Sequence, residues 1–85
     1  MKVDISNHAF QRMQERKGWD KNKSAIITEE FLLRFQNKYK GPIIKKHYLS
    51  YDGDFYWVIS TNRSNGHFFV LTFTEKRNPP RTEFF

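Results

Sequence analysis

His8, Arg12 and Arg16 recur at every fourth position within S-N-H-A-F-Q-R-M-Q-E-R-K-G, residues 6–18. On an α-helix such a set makes one continuous ridge, drifting by about 40° per step. Guanidiniums are permanent planar donors that match a phosphate. An imidazole can carry a proton near neutral pH. A His–Arg–Arg ridge therefore suits binding a phosphate and acting on it. The plainer alternatives are a first-turn histidine facing water and a solvated arginine face. A third is that Arg12 and Arg16 pair with Glu15, Asp20 or the acids of a second helix.

The helix that must carry the ridge is marked at both ends. Ser6 is a good N-cap, because its hydroxyl can accept a bond from a free first-turn N–H. Gly18 is a natural residue just past the C-terminus, since it enters the left-handed conformation without a Cβ clash. Ala9, Phe10 and Met13 supply a narrow apolar stripe between them. Before this helix, Lys2 to Ile5 could be a short strand or an entry arm. After it, residues 18–22 make a polar connection, with Trp19 folding back onto the core.

A second helix is expected over Ser24 to Tyr39, with Ser24 and Thr28 both able to cap it. Glu29 and Glu30 fall early and Arg34, Lys38 and Lys40 late, which suits the helix dipole. Ile27, Phe31, Phe35 and Tyr39, flanked by Leu32, form its core-facing stripe. Gly41-Pro42 stops it.

The period then changes to alternation. Strands are expected over Ile43 to Tyr51, Phe55 to Thr61 and His67 to Glu75, with tight-turn signals at Asp52-Gly53 and Asn65-Gly66. Phe55 to Thr61 is apolar on both faces, as a central strand is. In the last strand Phe69, Leu71 and Phe73 alternate with Phe68, Val70, Thr72 and Thr74. Residues 76–85, with Pro79-Pro80, read as a tail or an edge extension. The expected fold is α+β: two N-terminal helices packed on one face of an antiparallel sheet of three or four strands. His47, Lys45, Thr72 or Thr74 would emerge on the other face.

The chain has 85 residues and a formal charge of +6, which reads as one small domain, residues 1–85. Its core must come largely from nine Phe, four Tyr and two Trp. A basic, aromatic-rich small domain leans toward nucleic acid or another acidic partner. There is no cysteine, so neither a disulfide nor a thiolate zinc site is available, and a reducing cytoplasm is the expected location. No stretch has the long apolar run of a signal peptide or the roughly 20 apolar residues of a membrane span.

Several site types fall away on sequence. No Walker-type loop, G-x-G-x-x-G or H-E-x-x-H occurs, and three histidines without cysteine give no zinc spacing. Asp52 and Asp54 flank a turn glycine, which is ordinary hairpin chemistry. The chain offers no acid cluster for a two-metal nuclease, so no metal or cofactor is expected.

Metal-independent phosphoryl chemistry on RNA remains. It needs a base for the ribose 2′-hydroxyl, donors for the charge developing on phosphate and an acid for the leaving 5′-oxygen. His8 can be the base or the acid, and Arg12 and Arg16 can hold the phosphate. His47 is the available second proton carrier, and Thr72 or Thr74 could donate a hydrogen bond. Tyr48, Tyr56 or Trp57 could stack on a base. Lys45, Lys46, Arg63, Lys76 and Arg77 would form an electrostatic rim for the nucleic acid. Each also has an ordinary reading, as a strand residue, a core aromatic or a solvated charge.

The run from Ser6 to Gly18 resembles the S-x-H-A-x-x-R-x-x-x-R-G signature that opens a group of small bacterial and phage domains. That group resembles the barnase–EndoU–colicin–RelE nuclease superfamily. The element order is similar too: two helices, then an antiparallel sheet ending in a strand with a threonine, here V-L-T-F-T. Lys17 is an insertion between Arg16 and the glycine, and the middle of the chain carries no further matching signature. The resemblance implies a RelE- or barnase-like two-layer fold and a toxin-like endoribonuclease that cleaves RNA without a metal. RNA is then the expected partner, with a neutralising or host protein as a possible second. The alternative on the same fold is a non-catalytic module that binds nucleic acid or protein, as a phage or accessory protein would.

Overall fold

A computed structural model describes residues 2–38, 46–62, 66–75 and 83–84. In chain order the elements are β1 (Lys2–Ile5), α1 (Asn7–Lys17), α2 (Lys21–Lys38), β2 (Lys46–Ser50), β3 (Phe55–Asn62), β4 (His67–Glu75) and β5 (Glu83–Phe84). The strands form one mixed sheet in the order β1-β4-β3-β2-β5. The fold is α+β, with both helices contributing to one core against the sheet.

The helix boundaries follow from local chemistry. Ser6 caps α1, its hydroxyl accepting the N–H of Ala9 at 2.9 Å. Gly18 ends it at φ 69°, its N–H donating to the Gln14 carbonyl. The expected start of α2 needs correction. Asp20, not Ser24 or Thr28, sits at its N-terminus, with Oδ1 accepting the N–H of Lys23 at 2.8 Å. A carboxylate there also opposes the positive end of the helix dipole. Ser24 and Thr28 lie inside the helix and are buried. The Thr28 hydroxyl meets the Met13 sulfur at 3.4 Å, joining α2 to α1.

The buried stripe of α2 is therefore Ser24, Thr28, Leu32 and Phe35. Ile27 and Phe31 pack at its margin, and Tyr39 lies outside the described residues. Small polar side chains on this stripe let α2 approach α1 closely, which an apolar-only reading of periodicity misses.

In the sheet, β3 is central, antiparallel to β2 on one side and to β4 on the other. β1 adds in parallel to the outer edge of β4, pairing Lys2 with His67 and Ile5 with Val70. The sheet is thus mixed where an antiparallel one was expected. The expected strand over residues 43–51 is observed as Lys46–Ser50, and residues 43–45 fall outside the described residues. β4 runs over the expected span but with a different facing. Val58 pairs with Thr72 and Ile59 with Val70, leaving Leu71 as an extra residue. Such a bulge shifts the side-chain alternation by one. Phe68, Val70 and Phe73 consequently all enter the core.

That core is aromatic. Trp57 lies fully buried, with Phe31, Tyr51 and Phe73 around it at centroid distances of 5.1–5.7 Å. Trp19 folds back between Tyr51 and Phe73, as its place after the α1 terminus suggested. Tilted and edge-on ring contacts of this kind add stability beyond their buried area.

Candidate functional site

The drift of the ridge around α1 decides how its three residues are exposed. Ala9 and Met13 face the core with no exposed surface. Each four-residue step from His8 rotates the ridge by about 40° toward that core line. His8 is accordingly exposed on the first turn. The Arg12 side chain is 38% exposed and that of Arg16 is 25%. The ridge starts in solvent and ends against the sheet.

Both guanidiniums meet carboxylates. Arg12 Nη1 lies 3.4 Å from Glu15 Oε2, one turn along the same helix. Arg16 Nη1 donates to Glu75 Oε1 at 3.0 Å, across to the end of β4. The pairing of Arg12 follows one of the sequence alternatives, whereas Arg16 reaches Glu75 rather than Asp20 or an acid of α2. Arg16 Nε is buried with no hydrogen-bond partner. The first turn of α1 is tethered to β4 through Ser6, whose N–H donates to the Val70 carbonyl and whose hydroxyl donates to that of Leu71. The ridge is thus held along one edge of β4.

The other expected participants do not join it. His47 was expected on the face away from the helices. It pairs with Ile59 in the sheet, points into the core and is 2% exposed. Its ring lies edge-on to Phe35 of α2 at 4.7 Å. The physical reason is register: His47 and Leu49 share a face with Ile59 and Trp57, and that face is covered by helix. Thr72 and Thr74 pair with Val58 and Tyr56. They lie on the face away from the helices and are half-buried. Tyr48 and Tyr56 share that face, with ring centroids 5.8 Å apart, whereas Trp57 is core. Lys46 is exposed on β2. Lys45, Arg63, Lys76 and Arg77 lie outside the described residues. The structure therefore brings together His8, Arg12 and Arg16, and separates them from His47 and from Thr72.

Three polar contacts were not visible in the sequence. His67 Nε2 and Asp4 Oδ2 stand 2.5 Å apart between β4 and β1, and the His67 ring packs on Phe69. Glu75 faces Arg16, as above. Lys17 Nζ donates to Asp52 Oδ2 at 2.8 Å and lies over the Phe55 ring at 4.3 Å. These partners are 35 or more positions apart in the chain. No local spacing could have announced them.

The carboxyl of Asp52 has a displaced pKa. Burial alone raises it. The hydrogen bond from Lys17, the N–H groups of Asp54 and Phe55, and the Lys17 charge outweigh burial and bring it below the usual aspartate value. This is turn and tether chemistry at the end of α1, not a proton-transfer site.

Among the described residues no group of three or more His, Asp or Glu could hold a metal ion. No helix among them is long and apolar enough to cross a membrane. What the arrangement offers chemically is one exposed imidazole and two guanidiniums spaced along one helix that is fixed to the sheet. No protein-family model matches the chain, and no curated protein matches it.

Proposed function

We propose that this domain acts on RNA as a small toxin-like endoribonuclease of RelE- or barnase-like build, with α1 as its phosphate-binding edge. The observation that carries the reading is the graded ridge: His8 exposed, Arg12 partly exposed and Arg16 anchored, on a helix tethered to β4 through Ser6. The helix motif, the net positive charge and the order of two helices before the β2–β4 meander support it. In this reading Arg12 and Arg16 hold the scissile phosphate. His8 takes the proton of the ribose 2′-hydroxyl as that oxygen attacks phosphorus. The bond to the 5′-oxygen breaks, the departing oxygen takes its proton from water, and a 2′,3′-cyclic phosphate remains. With His47 under Phe35, a single imidazole serves the ridge. A missing general acid removes a factor of about 10²–10⁴ from the rate, so cleavage is expected to be slow.

The test is incubation of purified protein with single-stranded RNA in EDTA, reading products for cyclic-phosphate ends. Cleavage that disappears in His8→Ala supports the mechanism, and cleavage unchanged in that variant removes it.

The burial of His47 favours a second reading, binding without catalysis. It is supported by a salt-dependent gel shift that survives His8→Ala and is lost in the Arg12→Ala/Arg16→Ala double variant, with no cleavage in either protein. Absence of any RNA binding at low salt points to a protein partner instead.

A further inference from the structure

We propose that Glu75 is a built-in competitor for the anion at Arg16, occupying the guanidinium until a phosphodiester displaces it. The proposal rests on the reading of the α1 ridge as a phosphate site and names its regulation. Arg16 Nη1 is bonded to Glu75 Oε1 at 3.0 Å. The rest of its guanidinium is constrained, because Nε is buried with no hydrogen-bond partner. Nη1, which the Glu75 carboxylate now holds, is the contact an incoming anion would take over. Glu75 is well placed to yield. It ends β4, and its side chain is 45% exposed.

An ion pair this exposed is worth little in water, so exchanging one oxyanion for another is close to neutral. A phosphodiester, like a carboxylate, can present two oxygens to a guanidinium fork, so it can take over the same contact. A carboxylate already held nearby has the advantage of high local concentration. Weak or isolated anions then lose to Glu75. A polyanionic strand that also reaches Arg12 wins. Arg12 is covered in the same manner by Glu15, at the longer distance of 3.4 Å. The ridge is thereby selective for ligands with adjacent phosphates, and it is electrostatically quiet when none is present.

The experiment compares wild type, Glu75→Gln and Glu30→Gln, the last removing an exposed acid of α2 as a control for net charge. Glutamine keeps the oxygen acceptor for Arg16 and removes the charge. Thermal melting checks that all three proteins are folded. Inorganic phosphate and a short single-stranded RNA are each titrated while the Arg16 Nε–H resonance is followed, assigned with Arg16→Lys.

Glu75→Gln is expected to halve the required ligand concentration or better, by about two- to fivefold, with Glu30→Gln near wild type. If phosphate binding tightens in this way but RNA binds to none of the proteins, the competitor role stands and the RNA reading fails. If RNA binds through Arg12 and Arg16 but Glu75→Gln tightens it no more than Glu30→Gln, the competitor role is overturned while the RNA reading stands. If neither ligand moves the resonance in any protein, the competitor role is overturned as well.

Discussion

The Ser6 hydroxyl donates to the Leu71 carbonyl at 2.9 Å while accepting the Ala9 N–H at the same distance. One oxygen thus closes the first turn of α1 and fastens that turn to the bulge of β4. The neighbouring bond from Ser6 N–H to the Val70 carbonyl, at 3.0 Å, makes the tether two-pronged. His8 is two residues further on, so its position relative to the sheet is set here.

Ser6→Ala removes both hydroxyl contacts and keeps the backbone bond. Loss of the cap and of one tertiary hydrogen bond is expected to cost about 1–2 kcal/mol. Differential scanning calorimetry should show the transition falling by roughly 5–15 °C for a domain of this size. Ser6→Thr, which can still cap, should recover most of the loss.

Gly18→Ala tests the other end of the helix. The residue sits at φ 69°, and an added Cβ would meet nothing within 4 Å. The cost is therefore conformational, about 1 kcal/mol. Urea unfolding is expected to show a lower midpoint with an unchanged slope.

Asp52 gives the domain a definite acid response. Burial pushes its carboxyl up, but Lys17 and the turn N–H groups prevail, and its folded pKa lies below the ordinary aspartate value. A folded-state pKa below the unfolded one adds stability that is fully present above the unfolded pKa. It is lost as pH falls through the folded value. Stability should be insensitive to this group at neutral pH and fall under acid conditions. Asp52→Asn should flatten that acid limb, in urea melts run between pH 2 and 7. The pair is partly exposed, so the gain at neutral pH is about 1 kcal/mol or less and is reduced by salt.

Leu32 tests the core beneath the site. It is fully buried between the helices and the sheet, so Leu32→Ala is expected to cost about 2–5 kcal/mol. That is a large share of the total stability of a small domain. Loss of near-ultraviolet circular dichroism at 37 °C would register it.

Local chemistry was the legible part of this chain. α1 was readable because Ser6 and Gly18 punctuate it, and the span of β4 because β-forming residues run from His67 to Glu75 after the Asn65-Gly66 turn signal. The central place of β3 followed from apolar residues on both of its faces. The facing of β4 was not readable, since nothing in F-F-V-L-T-F-T marks Leu71 as the extra residue. The parallel pairing of β1 joins Lys2 to His67 across 65 positions, and no short-range pattern encodes it. The start of α2 is hidden in the sequence because Asp20 follows Gly18 closely and reads as part of the connection. The burial of His47 is not legible because the alternation of β2 gives two faces without saying which one the helices cover. For the site, the ridge was legible from its spacing, but the carboxylate partner of Arg16 lies 59 positions away.

Cleavage of single-stranded RNA in EDTA, compared between wild type and folded His8→Ala with the product ends identified, decides whether α1 carries catalysis. Wild type is expected to cleave slowly to cyclic-phosphate ends, and His8→Ala not at all. Cleavage that persists unchanged in His8→Ala, or RNA left intact by wild type, would contradict a catalytic role for α1.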